Sequence, residues 1–388
     1  MNKNTSKLIY FFIFNEIILA GDNQINIFTV YCLKNIPMAR SIFIIIVFFS
    51  FCIQVYPQKN KNTIQNYIKT HNTEKLYNRG IEALNKQDYY GALFYLDSVI
   101  TIEPGYVKAY IERGKIYFKK ERKDDALAEF QHALTIEPSN GEAMFLKAFV
   151  KLTQDTSSVN SDDFNTAILN NFTQPHAYYY RGLMKLIHKQ YNDAIADFTI
   201  AIEKKPDYAK AYHDRGTAKR GLGDLQGAIY DYRLAITYDP KLLMAYINMG
   251  DTKKIIGDLR GAEEDYTAAI GIDSAYFATY NNRGGARFLQ GNIEDAKNDF
   301  NKALDLNPES FETMTNMGNI FSKAGDYDSA IEWYNKSLQN NPNYKVAYID
   351  RGIAFEMLGK LDDACTDWKR ASDLGSEEAA KYLSECSK

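Results

Sequence analysis

A glycine or alanine returns every 34 residues along this chain, at Gly80, Gly114, Ala148, Gly182, Gly216, Gly250, Gly284, Gly318 and Gly352. A period of that length, held without slippage, means one supersecondary unit stacked end to end. Other residues travel with this landmark. Twelve positions later stands alanine in eight units, from Ala92 to Ala364, and sixteen later an aromatic in eight, from Phe130 through Tyr232 to Trp368. Nineteen later comes a second small residue, as at Ala133, Ala201 and Ala235. Proline closes six units, at Pro104, Pro138, Pro206, Pro240, Pro308 and Pro342. Nine units fill 73–378 and leave no room for a catalytic domain beside them.

Each unit reads as two amphipathic helices joined by a short turn. In the fifth, "AKAYHDRGTAKRGLGDLQGAIYDYRLAITYDP", apolar and small positions run at helical spacing on both sides of "GLGD". Small residues recur where helix axes come within about 8–10 Å, and the aromatic fills the space they leave. Proline ends the second helix because it lacks an amide hydrogen and clashes with the preceding turn. One hairpin cannot bury both its faces, so stability resides in the contacts between neighbours.

With tyrosine four before the landmark (Tyr110, Tyr178, Tyr212, Tyr246, Tyr280 and Tyr348), the unit resembles the tetratricopeptide repeat. The resemblance implies an all-α, right-handed superhelical solenoid of nine 34-residue helix-turn-helix repeats. It also implies a concave groove, lined by the first helix of each pair, that binds peptides or partner proteins. One departure recurs: where the family often has leucine before the glycine, this chain has Arg79, Arg113, Arg181, Arg215, Arg283 and Arg351. These are expected to be solvated or paired with acidic neighbours. The many aspartates and glutamates are expected to face solvent.

By the same resemblance, residues three before, two before, one after and four after each landmark point into the groove. The early units put apolar side chains there, including Phe118, Phe149 and Tyr179; the later ones put His213, Arg220, Asn248, Asn282 and Asn316. The three asparagines repeat at the array period. As a ladder of amides they can donate to and accept from an extended peptide backbone. The competing expectation for Phe118 and Phe149 is packing between adjacent first helices. Repeats that grip a C-terminal carboxylate place lysine three before the glycine, and none stands at that offset here.

The termini differ from the array. "IFIIIVFFSFCI" at 42–53 is twelve residues long and uncharged, short for a membrane span but suited to a signal h-region. With Met38 and Arg40 before it, 38–57 reads as a signal peptide or N-terminal anchor, and 1–37 as an upstream extension of the frame. The expectation is an exported protein, in the periplasm, associated with the outer membrane or secreted; the alternative is a membrane anchor through 42–53. Residues 58–72 read as an N-terminal cap. Ser376–Cys386 has the pattern of a helix covering the last unit, so that 379–388 is the end of a C-terminal capping helix. The ending "DDACTDWKRASDLGSEEAAKYLSEC" resembles the final unit of exported bacterial repeat proteins. Cys365 and Cys386 within it are either bridged or packed as reduced thiols.

The third unit, 141–174, keeps its length and loses its markers. Ala148 replaces the glycine, Asn160 the alanine and Phe172 the proline, and "TQDTSSVNSDD" breaks the helical pattern. A shortened second helix capped by Ser161 is expected, as drift in a tolerant repeat or as a hinge.

No motif of catalysis emerges. Gly221, Gly223 and Gly227 imitate a dinucleotide loop but follow a helix, where the fingerprint needs a strand. The five histidines share no ligand spacing, so neither metal nor cofactor is expected. A formal net charge of −3 offers no basic stripe for nucleic acid. The expected function is a non-enzymatic protein- or peptide-binding scaffold. The alternatives are a structural subunit of a cell-envelope assembly and an accessory chain presenting substrate to a separate enzyme.

Overall fold

The computed structural model describes residues 69–383 and Cys386. The upstream extension, the signal or anchor segment with its apolar run 42–53, and most of the N-terminal cap lie outside the described residues. Among the described residues every regular element is helical, and no helix is long and apolar enough to cross a membrane.

The chain divides into two compact units, Met1–Ala109 and Tyr110–Lys388. In the first, α1 (residues 69–85) is followed by α2 (Tyr89–Ile102). Helix α3 (Val107–Lys119) carries the chain into the second unit. There follow α4 (Lys123–Ile136), α5 (Gly141–Gln154), α6 (Ser161–Leu169), α7 (Pro175–Ile187) and α8 (Tyr191–Lys204). Next come α9 (Ala209–Gly221), α10 (Leu225–Tyr238), α11 (Leu243–Ile255), α12 (Leu259–Ile272) and α13 (Phe277–Gln290). The array ends with α14 (Ile293–Leu306), α15 (Phe311–Lys323), α16 (Tyr327–Asn340), α17 (Lys345–Met357), α18 (Leu361–Asp373) and α19 (Glu377–Tyr382). Within the second unit consecutive helices pack in chain order from α4 to α19, as a solenoid of helix pairs. The odd-numbered first helices α7 to α17 also touch one another from repeat to repeat. They therefore share one continuous face.

The landmark glycine is explained by a single contact. A Cβ on Gly216 would stand 2.9 Å from the Tyr232 ring, and one on Gly284 2.7 Å from Phe300, sixteen residues on in each case. The edge of the ring on the second helix approaches the bare backbone of the first. The alanines twelve and nineteen later are buried with it, Ala228 and Ala235 around Tyr232 for instance.

Five of the six arginines before the landmark are paired, Arg79 being exposed, and the acids that partner them correct the expectation that such acids face solvent. Asp197, Asp231, Asp299 and Asp367 are all buried, as is Asp265, whose partner is Lys253 rather than an arginine. Arg215 donates through Nε and Nη2 to the two oxygens of Asp231, both at 2.8 Å. Its Nη1 reaches Thr199 on the preceding second helix, and its guanidinium lies 5.4 Å from the Tyr212 ring centre. The same arrangement joins Arg181 to Asp197 and Asn165, Arg283 to Asp299 and Thr267, and Arg351 to Asp367 and Asn335. Each arginine thus staples three helices. A planar fork with five donors suits this role, and the bidentate geometry compensates for burying the carboxylate.

In the third repeat the helix pattern persists to Gln154, a 3-10 turn occupies Thr156–Ser158, and α6 has nine residues. Its cap is Asn160 rather than Ser161: the Asn160 side chain accepts from the amides of Asp162 and Asp163, and Asp163 returns a bond to the Asn160 amide. Ser161 is already helical, so the reciprocal box belongs one residue earlier. At the C-terminus Ser376 caps α19, and Cys365 is bridged to Cys386 with Cα atoms 5.8 Å apart. Tyr382 stacks on Trp368 at 5.0 Å.

Candidate functional site

The face shared by the first helices separates two kinds of position. Three before the landmark, side chains sink into the seam between neighbours: Ile111, Phe145, Tyr179, Ile247, Thr315 and Ile349 are buried. Tyr179, expected in the groove, is 6% exposed. It spends its hydroxyl on Asp214 Oδ2 at 2.7 Å, because this offset aims at the adjacent helix rather than at the open side. Two before the landmark, side chains stay half-buried and form an unbroken polar row: Asp214, Asn248, Asn282, Asn316 and Asp350.

The row is tied together across repeats. Asn248 Nδ2 lies 2.8 Å from His213 Nε2, whose Nδ1 lies 2.7 Å from Asp214 Oδ1. Asn282 donates to Asp251 at 3.3 Å, and Asn316 to Asn281 Oδ1 at 2.8 Å. Each ladder asparagine therefore commits an N–H to the preceding first helix. Burial pushes the Asp350 carboxyl up to about 6, with Glu378 adding to the rise and a hydrogen bond from Asn319 opposing it.

Hydroxyls from the second helices reach the same face. Tyr232 bonds Thr217 at 3.2 Å, Tyr266 donates to Asp251 at 2.6 Å and Tyr334 to Asn319 at 2.6 Å. In each case the partner is the residue just after the landmark. Where that residue is Leu183 or Gly285, the ring is Phe198 or Phe300, with no hydroxyl to satisfy. Arg220, half-buried at the end of α9, acts on the hydroxyls of Tyr232 and Tyr266, opposing the rise that burial gives both.

Toward the start of the second unit the face is aromatic. Phe118 and Phe149 are half-buried with ring centres 5.4 Å apart, and Phe149 lies 5.0 Å from Tyr180. Both also pack on clusters beneath them, Phe118 on that of Phe130 and Phe149 on that of Phe164. They are part seam and part surface. The structure thus brings His213 and Asn248 into one network, places Asn282, Asn316, Arg220, Phe118 and Phe149 along the same face, and withdraws Tyr179 into the seam. Asp350 and the tyrosine hydroxyls escaped the sequence reading, although Asp350 holds the ladder offset in the last unit. Among the described residues no group of three or more His, Cys, Asp or Glu is placed to hold a metal ion. In "GLGDLQG" Gly221 ends helix α9, Gly223 takes the turn at φ +83°, and Gly227 lies in the first turn of α10, which Asp224 caps.

Tetratricopeptide repeat models match residues 107–140, 188–241, 245–276 and 275–343. No curated protein matches the chain. Among solved structures, one from the APC/C hetero-tetramer Cut9-Hcn1 is 18% identical with a TM-score of 0.51, over 77% of this chain and 59% of that one. That likeness supports the fold alone. A MamA structure is 29% identical over 45% of this chain and 94% of its own, with a TM-score of 0.37. A tetratricopeptide repeat protein from Parabacteroides merdae ATCC 43184 is 15% identical over 72% and 97%, with a TM-score of 0.48. Four matched segments, together with a 34-residue period that one glycine–ring contact accounts for, make this chain a member of the tetratricopeptide repeat family.

Proposed function

We propose that the chain is a non-enzymatic protein- or peptide-binding scaffold that acts outside the cytoplasm and holds an extended segment on the face of its first helices. The observation that carries this reading is the polar row from Asp214 to Asp350, periodic, half-buried and continuous across five repeats. Each amide binds the preceding first helix through one N–H and keeps further polar capacity at a half-buried face, and a peptide backbone presents alternating donors and acceptors that such a row can meet. The aromatic stretch at Phe118, Phe149 and Tyr180 would seat apolar anchors from the same ligand.

Export is supported by the apolar run at 42–53 and by the Cys365–Cys386 bridge, since disulfides persist chiefly in oxidising compartments. A pull-down from envelope extract tests the binding face. Asn248→Ala, Asn282→Ala and Asn316→Ala combined should weaken capture by about 0.5–1.5 kcal/mol per rung in protein that circular dichroism shows still folded at the assay temperature. Unchanged capture by the triple variant would remove the ladder from the reading. Cell fractionation with sequencing of the mature N-terminus tests export; an intact N-terminus in the cytosol would refute it.

A structural subunit of an envelope assembly is the second reading. It is favoured by Tyr90 and Phe94, 85% and 68% exposed one turn apart on α2, because adjacent exposed rings of that size mark contact surfaces. Light scattering on the purified protein separates the two: a stable homo-oligomer that Tyr90→Ser and Phe94→Ser dissolve supports assembly, a monomer supports ligand capture.

A further inference from the structure

We propose that His213 selects which edge of the Asn248 amide faces a ligand: the carbonyl oxygen while the imidazole is neutral, the N–H group once it is protonated. The inference deepens the binding face proposed above and rests on that reading for its consequence, though not for its chemistry.

The Asp214 carboxylate can only accept hydrogen bonds. Its Oδ2 takes the Tyr179 hydroxyl at 2.7 Å, and its Oδ1 faces His213 Nδ1 at 2.7 Å. Nδ1 therefore carries the hydrogen. A neutral imidazole has only one N–H, so Nε2 holds a lone pair. The atom 2.8 Å from that lone pair is the amide nitrogen of Asn248, a donor. The network closes without conflict in this tautomer, and the Asn248 carbonyl is turned away from His213. Four side chains on α7, α9 and α11 thereby hold the rung in one orientation.

Protonation changes a single atom. Nε2 becomes a donor facing a donor, while Nδ1 keeps its bond to Asp214. A rotation about the last side-chain torsion of Asn248, which is broad and nearly two-fold, exchanges the amide nitrogen for the carbonyl and restores the bond. The backbone need not move.

The surrounding charges are compatible with this. On α7, burial raises Tyr179 and Tyr180, which stay neutral. Before α9, Tyr208 is raised likewise. On α8 the buried acid, Asp197, is held by Arg181 and Lys185. On α10, the Tyr232 ring lies 5.7 Å from His213 and is raised by burial, and Asp231 is held by Arg215 and Lys219. On α11, Asp251 is bound by the Tyr266 hydroxyl. On α9 itself, Asp214 Oδ1 faces His213 Nδ1 and Arg220 stands two turns on.

The test uses the full chain without ligand, labelled with nitrogen-15 in histidine and asparagine. His213, one of five histidines, is identified by the loss of its signals in His213→Gln or, should that variant not fold, by their displacement in Asn248→Ala. At neutral pH the His213 nitrogens should show the Nδ1–H tautomer. On acidification the side-chain amide of Asn248 should shift with the same midpoint as His213, while those of Asn282 and Asn316 hold still. An Nε2–H tautomer at neutral pH, or an Asn248 amide indifferent to the titration of His213, overturns the proposal. Because nothing is bound, either result leaves the capture experiment to judge the binding face separately.

Discussion

At the scale of single residues the costs sit where the repeat pattern is broken or where a polar group is taken from water. Asp350 is the sharper case. Its folded carboxyl is raised to about 6 from an ordinary 3.8, chiefly by burial. The folded protein therefore binds this proton more tightly than the unfolded chain, and stability falls as pH rises between roughly 4 and 6. About two units correspond to roughly 3 kcal/mol lost at neutral pH. Asp350→Asn should recover most of that at pH 7 and little at pH 4, a crossing that denaturant melts at both values would detect. Lys189 is the second case. Its φ is +58°, at the turn position where later repeats have Gly223, Gly257, Gly291, Gly325 and Gly359. A left-handed residue with a Cβ costs about 1–2 kcal/mol and a glycine gives back part of that in unfolded-state entropy. Lys189→Gly should stabilise by about 0.5–1 kcal/mol in the same melts. The −2 row was legible in the sequence because asparagine recurs at the period. What each amide bonds was not, since partners such as His213 and Asn248 are 35 residues apart and meet only once the helices are stacked.

Between elements, the arginine staple decides how firmly one repeat holds the next. Its signal lay in the sequence: Asp197, Asp231, Asp265 and Asp299 recur every 34 residues, each fifteen after a landmark. A helical pattern alone assigns such acids to solvent, because an ion pair that joins three helices is non-local. The sixth repeat tests the account, for Met249 stands where arginine is expected. Asp265 keeps only Lys253, 2.8 Å away, and its carboxyl is raised by burial against that ammonium. The preceding second helix explains the exchange: it offers Arg233 where the other staples find Asn165, Thr199, Thr267 or Asn335. Met249→Arg alone should therefore gain little, whereas Met249→Arg with Arg233→Thr should stabilise, with a coupling of about 0.5–3 kcal/mol in a double-mutant cycle. The converse change, Arg215→Met, leaves Asp231 fully buried with Lys219 alone. It should cost about 2–3 kcal/mol, below the usual 3–5 for a broken buried pair because one cation remains.

For the molecule as a whole, a stack held by neighbour contacts should lose protection locally rather than all at once. The third repeat looks weakest in sequence, yet its core is dense: Phe145 lies 5.7 Å from Phe164, 4.9 Å from Phe172 and 6.0 Å from Tyr180. Helix α6 is short, but the capping box satisfies its first amides. These contacts argue against a hinge. Hydrogen exchange should find fast amides confined to the connector 155–160, with Phe164–Leu169 as protected as the second helices on either side. The C-terminal end should respond differently. The bridge from Cys365 closes a 21-residue separation across α19, a constraint worth about 3 kcal/mol on the unfolded segment. Reduction should therefore raise exchange in α18 and α19, where Tyr382 covers Trp368, and leave α7 to α13 unchanged. If reduction instead loosens every repeat alike, the staples couple the array into a single cooperative unit. The proposed binding face would then open and close with the whole stack rather than rung by rung.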